Sequence, residues 1–388
     1  MAHGDITDVP GILVGHAQNF QTKTGVTVVL APRAGVAAGL HMGGNACSTR
    51  QFDALGPLHI VERIHAVCLC GGSAFGLDAG GGVLAWLEEQ RVGYHVVGAI
   101  VPIVPTAALF DLNFGDGSTR PDAAMGRLAC MHASAGPVPE GSVGVGTGAS
   151  VGKLFGIGQG MKGGVGSSSE ISGELVVGVL VAVNAYGDVT DTEGNLLAGA
   201  RTAADSLDLA DAARLLKEGK ARSRTTTGSG DKPESPDKSA PAQNNGTHTS
   251  TEHTTLAVIA TNARMDRMVA SRTAAQASLG LGRVIRPFHS HIDGDLTVLL
   301  SCGDVDADPN RVGLLAAEAL QQAVIRAVRD ADGFGIIPAA RDLPLSGSHE
   351  GLPGETLLKK GCPPDPLPKT FETSGGSNHV AGSRDVGR

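Results

Sequence analysis

The sequence predicts a mixed fold, α/β or α+β, for this chain of 388 residues. Short runs rich in β-branched residues alternate with glycine-rich turns and with longer segments whose apolar residues have helical spacing. The composition includes 56 glycines but only one Trp, two Tyr and nine Phe, which is typical of a soluble protein with close backbone packing. The length alone allows two or three domains.

Residues 1–219 are predicted to form the larger part of one layered unit. Strands are expected in "GVTVVLAP", "AVCLCGG" and "ELVVGVLVAVNAYGDV", and helices in "AFGLDAGGGVLAWLEEQ" and "AADSLDLADAARLLKEG". Because alternate residues of a strand share a face, Cys68 and Cys70 are expected to point the same way and to be buried free thiols.

A long polar segment, residues 220–253, separates this unit from the rest of the chain. It contains no Val, Ile, Leu, Met or aromatic residue, so no packed core is expected and the segment is predicted to be a flexible, exposed linker. Residues 254–344 return to regular patterning, with strands in "TTLAVIATNA" and "DLTVLLS" and helices in "MDRMVASRTAAQASLG" and "PNRVGLLAAEALQQAVIRAVRDADG". The polar tail, 345–388, is predicted to be disordered.

The charge and the apolar segments argue against several classes of function. A net charge of −8 without a basic block argues against a nucleic-acid partner and suits a cytoplasmic protein. The N-terminus lacks the pattern of a secretory signal. The most apolar window, "VVGAIVPIVPTAALF", is too short to span a bilayer and is interrupted by Pro102 and Pro105. A small molecule or a peptide is therefore the expected substrate, with no role for a membrane.

The junction between the linker and the next strand, at His253 and Thr254, has two interpretations. It can be a loop insertion, which a protein surface tolerates at little cost. It can instead be a processing site, because a threonine hydroxyl can attack the preceding carbonyl, shift the acyl group from nitrogen to oxygen and release a new N-terminal threonine. The free α-amine of that threonine, with an unperturbed pKa of about 7.7–8.0, can act as general base for its own hydroxyl.

A series of motifs runs through the chain in a characteristic order: "DVPGILVGHAQ", "GVTVVLAP", "GGNACSTRQFDAL", "CGGSAFGLDAGGGVLAWLEE", "VPIVPTAALFDL", "GVGTGASVGKL", "MKGGVGSSS", "VGVLVAVNAYGDV", "TTLAVIATNA" and "HIDGDLTVLL". Together they resemble the self-cleaving aminopeptidase family. That family includes the L-aminopeptidase/D-alanine esterase-amidases, the β-aminopeptidases and the nylon-oligomer hydrolases. The resemblance covers residues 5–335, apart from the linker.

The resemblance implies a four-layer αββα sandwich of the N-terminal-nucleophile hydrolase type, made from a precursor that is cut once between His253 and Thr254. Thr254 would then be the nucleophile of an amide hydrolase, acting through an acyl-enzyme on linear amides, either short peptides or 6-aminohexanoate-type oligoamides. The two cleaved chains would stay associated. The family also implies a homo-oligomer, a dimer or tetramer of the cleaved pair.

The resemblance assigns supporting roles to further side chains. Asp293 and Asp295 are two residues apart, so they are expected on one side of a strand, where they can orient the threonine amine and hold a proton between them. This pair resembles the nylon-hydrolase branch. Asn184 is expected to donate to the oxyanion. Lys153 matches an active-site lysine of the nylon-hydrolase branch, and Lys162 is the second candidate. Without the resemblance, these are ordinary turn and surface residues.

Two other functions stay open. Ornithine acetyltransferases have a related self-cleaving threonine chemistry, so the acyl group could pass to an amine instead of water. Alternatively, His253 could block maturation and leave an uncleaved, non-catalytic relative, because nylon hydrolases have Asn at this position and aminopeptidases have a small residue.

No cofactor and no metal are expected. "GVGTGASVGKL" has Thr147 where a phosphate-binding loop needs its first glycine and Leu154 where it needs Ser or Thr. The following "MKGGVGSSSE" continues as a glycine-rich loop where a dinucleotide site needs a helix. "HSHID" contains metal-ligand residue types, but no second cluster completes a ligand set.

Overall fold

The computed structural model describes residues 2–221 and 253–344. Nearly all of the predicted linker, 220–253, and the whole predicted tail, 345–388, lie outside the described residues. The described helices are α1 (Ala79–Glu89), α2 (Ala123–Met131), α3 (Ala212–Lys217), α4 (Arg267–Ser278), α5 (Leu281–Val284) and α6 (Pro309–Arg329). None of these helices is long and apolar enough to cross a membrane.

The described strands are numbered in chain order. They are β1 (Leu13–Asn19), β2 (Thr24–Leu30), β3 (Ala37–Met42), β4 (Ser48–Arg50), β5 (Ala66–Cys70), β6 (Tyr94–Val96), β7 (Ala99–Val101), β8 (Thr106–Ala108), β9 (Ser150–Val151), β10 (Met161–Lys162), β11 (Gly164–Ser172), β12 (Leu175–Asn184), β13 (Asp188–Thr190), β14 (Leu196–Ala198), β15 (Thr254–Ala263), β16 (Ile285–Arg286) and β17 (Leu296–Val305).

Two five-stranded sheets form the middle of the fold. The first sheet has the strand order β1, β2, β5, β8, β4, and the second has the order β11, β12, β15, β17, β3. β15 is the central strand of the second sheet, antiparallel to β12 and parallel to β17. The strand that begins at Thr254 is therefore held on both edges.

Side chains of the second sheet alternate between two packing layers, as the period of a strand requires. Along β12, Leu180 and Ala182 join a core that lies between the two sheets. Val179, Val181 and Val183 join a second core with the apolar faces of α4 and α6. All apolar residues of this strand except Val176 are thus buried on one side or the other.

The first sheet has its own helical layer. α1 and α2 pack on its outer face, where Cys68 and Cys70 of β5 lie in the same core as Val83 of α1 and Ala129 of α2. Both thiols are free and buried, as expected from the sequence. The layer order is therefore helix, sheet, sheet, helix, which is the αββα sandwich that the family resemblance implies.

One predicted helix is wrong in its first half. Of "AADSLDLADAARLLKEG", only Ala212–Lys217 is helical. Asp211 caps the first turn of this helix, and buried Asp188 accepts the N–H of its first residue at 2.6 Å. The preceding turn instead surrounds the guanidinium of Arg201, which donates to backbone carbonyls of that turn. Capping and hydrogen bonding to a buried cation thus outweigh the helical spacing.

Asp111 is a buried carboxylate that connects segments at one end of the first sheet. It accepts hydrogen bonds from Thr24 Oγ1 at 2.8 Å and from the N–H of Gly72 at 2.7 Å. Burial raises the pKa of Asp111 to about 6, although these hydrogen bonds and the charge of Lys162 oppose the rise. A Cβ at Gly71 would lie 2.1 Å from the Asp111 carboxylate, so the backbone can approach it only as glycine.

We expect Leu180→Ala to lower the free energy of unfolding by roughly 2–5 kcal/mol, because it leaves a cavity between the two sheets. Leu180 is fully buried, whereas Leu58 is 98% exposed and provides a matched control. Thermal or denaturant unfolding of both variants measures the difference. Equal losses for Leu180→Ala and Leu58→Ala would contradict the assignment of the core.

We expect Asp111→Asn to make stability less dependent on pH, because the folded state raises the pKa of this carboxyl from 3.8 to about 6. Protonation of Asp111 stabilises the folded protein fully at pH values below the pKa of this carboxyl in the unfolded chain. This stabilisation is lost as the pH rises through its pKa in the folded protein. The variant should therefore gain melting temperature relative to wild type at neutral pH but not near pH ~4. An equal shift at both pH values would contradict this account.

Candidate active site

Three chain segments meet at the start of β15. Thr254, its first residue, lies directly opposite Asn184, the last residue of β12, in the antiparallel ladder. His253 forms a parallel bridge with Asp293, just before β17 begins. All four residues are buried. The register of the second sheet therefore places the predicted nucleophile, an amide side chain and a carboxylate side by side.

The carbonyl oxygen of His253 accepts two hydrogen bonds. Thr254 Oγ1 donates to it at 2.6 Å, and the backbone N–H of Gly294 donates at 2.7 Å. A Cβ at residue 294 would lie 2.9 Å from Thr254 Oγ1 and 2.6 Å from the carbonyl oxygen of Ala46, so only glycine fits there. The peptide bond between residues 253 and 254 thus has a hydroxyl and an amide donor on one carbonyl oxygen.

Asp295 is buried beside the first residues of β15. Its Oδ1 accepts the N–H of Thr255 at 2.6 Å. Its Oδ2 accepts the backbone N–H of His289 at 3.2 Å and lies 3.0 Å from Nδ1 of the same histidine. Both carboxylate oxygens are therefore paired, which offsets part of the cost of burying the charge.

Asp293 is the second buried carboxylate. Its Oδ2 accepts the N–H of Ser290 at 3.0 Å and the Ser290 hydroxyl at 2.5 Å, and its Oδ1 accepts the N–H of Tyr186 at 3.3 Å. Burial, and then the negative charge of Asp295, raise the pKa of Asp293 to about 6. The sequence predicted that both aspartates lie within a strand, but in the structure they precede β17, which begins at Leu296. The chain at Asp293 forms only an isolated bridge with His253 before the regular ladder starts.

A loop at the end of β3 holds the segment that carries the two aspartates. The N–H groups of Gly43 and Gly44 both donate to the carbonyl of Asp295, and those of Asn45 and Ala46 both donate to the carbonyl of Asp293. A Cβ at Gly44 would lie 2.2 Å from the backbone nitrogen of residue 295. The glycines of "GGNA" thus allow two backbone segments to touch, and the loop holds the backbone of the two aspartates in place.

Lys153 lies beside Asn184. Its Nζ donates to the backbone oxygen of Asn184 at 3.0 Å and to Oδ1 at 2.9 Å. The Asn184 side chain also accepts the N–H of Ser150 at 3.0 Å and donates through Nδ2 to the carbonyl of Phe110 at 3.1 Å. The charge of Lys153 reaches His253, where it adds to burial in lowering the pKa of the imidazole. Lys153 is therefore part of the cluster around Thr254.

Lys162, the second candidate lysine, has a different environment. Its Nζ donates to the carbonyls of Gly146, Ala149 and Gly163 at 2.7–2.9 Å. Burial lowers the pKa of Lys162 to about 7. An ammonium has three hydrogens to donate, and three backbone carbonyls accept them. The arrangement is that of a side chain that holds a loop together.

The imidazole of His253 packs against Tyr186, with ring centroids 5.1 Å apart. Burial, and then the charge of Lys153, lower the pKa of His253 to about 2, so the ring is neutral. Within residues 2–221 and 253–344, neither of its ring nitrogens has a hydrogen-bond partner. The imidazole thus interacts with its described surroundings through packing and not through hydrogen bonds.

The residues of "HSHID" are not arranged around a metal. His289 and Asp293 have the partners given above, and His291 is exposed. In the described part of the chain, no group of three or more His, Cys, Asp or Glu side chains is placed to hold a metal ion.

Several groups at this site were not predicted from the sequence. These are the N–H of Gly294, the 43–46 loop and the donors of His289 and Ser290. "HSHID" was noticed only as a set of metal-ligand types, and "GGNAC" only as part of the family resemblance. Neither motif has a spacing that reveals a partner some 250 residues away, such as the loop that holds Asp295.

Solved structures share this fold. A β-aminopeptidase of Burkholderia sp. superimposes with a TM-score of 0.61 at 20% identity, covering 87% of this chain and 91% of that one. The L-aminopeptidase D-Ala-esterase/amidase of Ochrobactrum anthropi, described as a variant of the Ntn-hydrolase fold, also has a TM-score of 0.61 at 20% identity, covering 85% and 87%. The four-layer architecture is therefore an Ntn-hydrolase fold.

Sequence comparison gives the family. An uncharacterized aminopeptidase of Mycobacterium leprae is 36% identical over 91% of this chain and 96% of its own length. A 6-aminohexanoate-oligomer endohydrolase of Kocuria sp. is 28% identical, covering 83% and 85%. The model of peptidase family S58 matches residues 4–337. The chain therefore belongs to peptidase family S58 and is a hydrolase that acts on C–N bonds.

Proposed function

We propose that the protein is an autoprocessed amide hydrolase whose nucleophile is the N-terminal threonine exposed by a cut between His253 and Thr254. The observation that carries this proposal is the double hydrogen bond on the His253 carbonyl oxygen, from the Thr254 hydroxyl at 2.6 Å and the Gly294 N–H at 2.7 Å. The hydroxyl is held beside the carbonyl that it would attack. The amide donor is placed to stabilise negative charge on the same oxygen.

The proposed cut is an acyl shift followed by hydrolysis. Thr254 Oγ1 attacks the carbonyl carbon of His253, the C–N bond breaks, and the hydroxyl proton passes to the leaving nitrogen, which becomes the α-amine of Thr254. Water then hydrolyses the ester and releases the carboxylate of His253 and the free hydroxyl. No cofactor is proposed for this reaction.

The mature enzyme would use the same groups for its substrate. The α-amine of Thr254 takes the proton of its own hydroxyl, Oγ1 attacks the substrate amide, and the amine nitrogen of the substrate leaves with that proton. Water hydrolyses the resulting acyl-enzyme. Asn184, opposite Thr254 in the ladder, is the proposed side-chain donor to the oxyanion. The positive charge of Lys153 favours the neutral, basic form of the amine.

Asp293 and Asp295 are proposed to orient the amine of Thr254. Asp295 already accepts the N–H of Thr255, the next residue, at 2.6 Å. The raised pKa of Asp293, about 6, lets the pair share a proton over part of the physiological pH range. With one proton shared between them, the two carboxyls carry a single negative charge, which Lys153 balances while the amine of Thr254 is neutral.

The proposed substrates are linear amides, either short peptides or 6-aminohexanoate-type oligoamides. A relative named as an aminopeptidase and a relative named as a 6-aminohexanoate-oligomer endohydrolase each match more than four-fifths of this chain. The two cleaved chains are proposed to stay associated, because β12 and β15 pair within one sheet. A homo-oligomer and a cytoplasmic location remain proposals, as does the absence of a nucleic-acid or membrane partner.

Acyl transfer to an amine is the second candidate function, since an acyl-threonine can react with either acceptor. An uncleaved binding protein is the third, in which His253 prevents the cut. The neutral imidazole, packed on Tyr186 and without a hydrogen bond to Thr254 in the described residues, favours tolerance of histidine at this position.

We expect Thr254→Ala to abolish hydrolysis of the linear trimer of 6-aminohexanoate and of L-alanine p-nitroanilide, and Thr254→Ser to retain at least one of these activities, because serine keeps the hydroxyl and the amine. Product formation by wild type is measured in buffer alone and with an added amine acceptor. Release of free acid in buffer alone supports a hydrolase. A new amide with the added amine as the main product, and free acid only as a minor product, supports a transferase. Undiminished turnover by Thr254→Ala would contradict the proposed nucleophile.

We expect the two buried lysines to separate into different roles. Lys153→Met should lower kcat by about 10- to 100-fold, as loss of an electrostatic contact at a reacting group does. Its loss of stability should be smaller than that of Lys162→Met, because Oδ1 of Asn184 keeps the N–H of Ser150 as a donor. Lys162→Met should lower the free energy of unfolding by about 2–4 kcal/mol, because it leaves buried carbonyls without a donor. Kinetics and thermal unfolding of both variants test this. A fall in kcat at constant stability for Lys162→Met, and not for Lys153→Met, would reverse the assignment.

A further inference from the structure

Two adjacent residues each bind one of the site's carboxylates with two donors. His289 approaches Oδ2 of Asp295 with its backbone N–H at 3.2 Å and its ring Nδ1 at 3.0 Å. Ser290 approaches Oδ2 of Asp293 with its backbone N–H at 3.0 Å and its hydroxyl at 2.5 Å. The loop between β16 and β17 thus supplies a clamp on both aspartates.

The ring of His289 is held firmly in place. It stacks on Phe288 with ring centroids 3.9 Å apart and meets the edge of the His41 ring at 5.7 Å. It also lies over Gly43, where a Cβ would be only 2.2 Å from the ring. Its backbone has φ of +53°, a left-handed conformation that is unfavourable for a residue other than glycine. Packing therefore stabilises a backbone conformation that aims Nδ1 at Asp295.

Asp295 connects this histidine to the start of β15. Its other oxygen, Oδ1, accepts the N–H of Thr255 at 2.6 Å. With Asp295 ionised, Nδ1 of His289 donates, because a carboxylate oxygen can only accept. A hydrogen bond to a carboxylate oxygen restricts the orientation of the carboxylate. Loss of this donor would leave a buried carboxylate oxygen with only the backbone N–H of residue 289.

We propose that His289 is a positioning residue of the active site, which holds the carboxylate of Asp295 directed at the first residues of β15 during the cut and during turnover. This inference rests on the proposed function, since it assumes that Thr254 is the nucleophile. His289 itself contacts no reacting atom. Its effect on Thr254 passes through Asp295 and the N–H of Thr255.

Two substitutions separate hydrogen bonding from packing. His289→Asn keeps a donor at the position of Nδ1 but loses the ring, whereas His289→Phe keeps the ring and loses the donor. The rate of cleavage between residues 253 and 254, followed after rapid dilution from denaturant, should stay close to wild type in His289→Asn and fall by about 10- to 100-fold in His289→Phe, as expected for loss of a hydrogen bond to a charged group. The kcat of the matured enzyme should follow the same order, with KM less affected.

His291→Ala is the matched control, because His291 lies two residues further along the same loop and is exposed. It should cleave at the wild-type rate. Wild-type cleavage in His289→Phe, or equal slowing in both His289 variants, would overturn the inference and leave Thr254 as the proposed nucleophile. A wild-type chain that never cleaves would overturn both proposals. Melting temperatures identify a folding defect, and if one variant fails to fold, the cleavage rate of the other decides alone.

Discussion

The hydrogen bonds on one carbonyl oxygen, that of His253, are the interaction on which the account of this molecule depends. Thr254 Oγ1 approaches that oxygen from the first residue of β15, and the Gly294 N–H approaches it from the segment just before β17. Their approach needs the parallel pairing of β15 with β17 and a residue without a side chain at 294. The four-layer fold can be understood as the support for this contact, because β15 lies in the middle of the second sheet with helices on one face and the first sheet on the other.

Burial of charge is the second constraint. Asp293, Asp295 and Lys153 are each almost fully buried, and isolated charges in such surroundings would be costly. Hydrogen bonds offset part of this cost: the 289–290 pair donates to the side chains of the two aspartates, and Lys153 donates to Asn184. The 43–46 loop holds the backbone of the aspartates in place. The site is thus pre-arranged before any substrate binds, which is what electrostatic catalysis requires.

Much of the fold could be predicted from local sequence, because its signals are local. The strand "TTLAVIATNA" has the same bounds in the structure, Thr254–Ala263, and Asn184 ends its strand as the change from apolar to turn residues indicates. The contacts of the site could not be predicted in this way. The 43–46 loop meets Asp295 only through sheet pairing between β3 and β17, and no pattern in "GGNAC" or "HSHID" encodes that register. Residues 203–211 show the opposite case: their apolar spacing predicts a helix, but the segment forms a turn whose carbonyls bind the buried guanidinium of Arg201.

The measurement that tests the central claim most directly is the mass of the purified protein under denaturing conditions, beside Thr254→Ala, after incubation at neutral pH. The account predicts two chains for wild type, the second beginning with Thr254, and one intact chain for the variant. A single intact wild-type chain, or a cut at the same bond in Thr254→Ala, would contradict it.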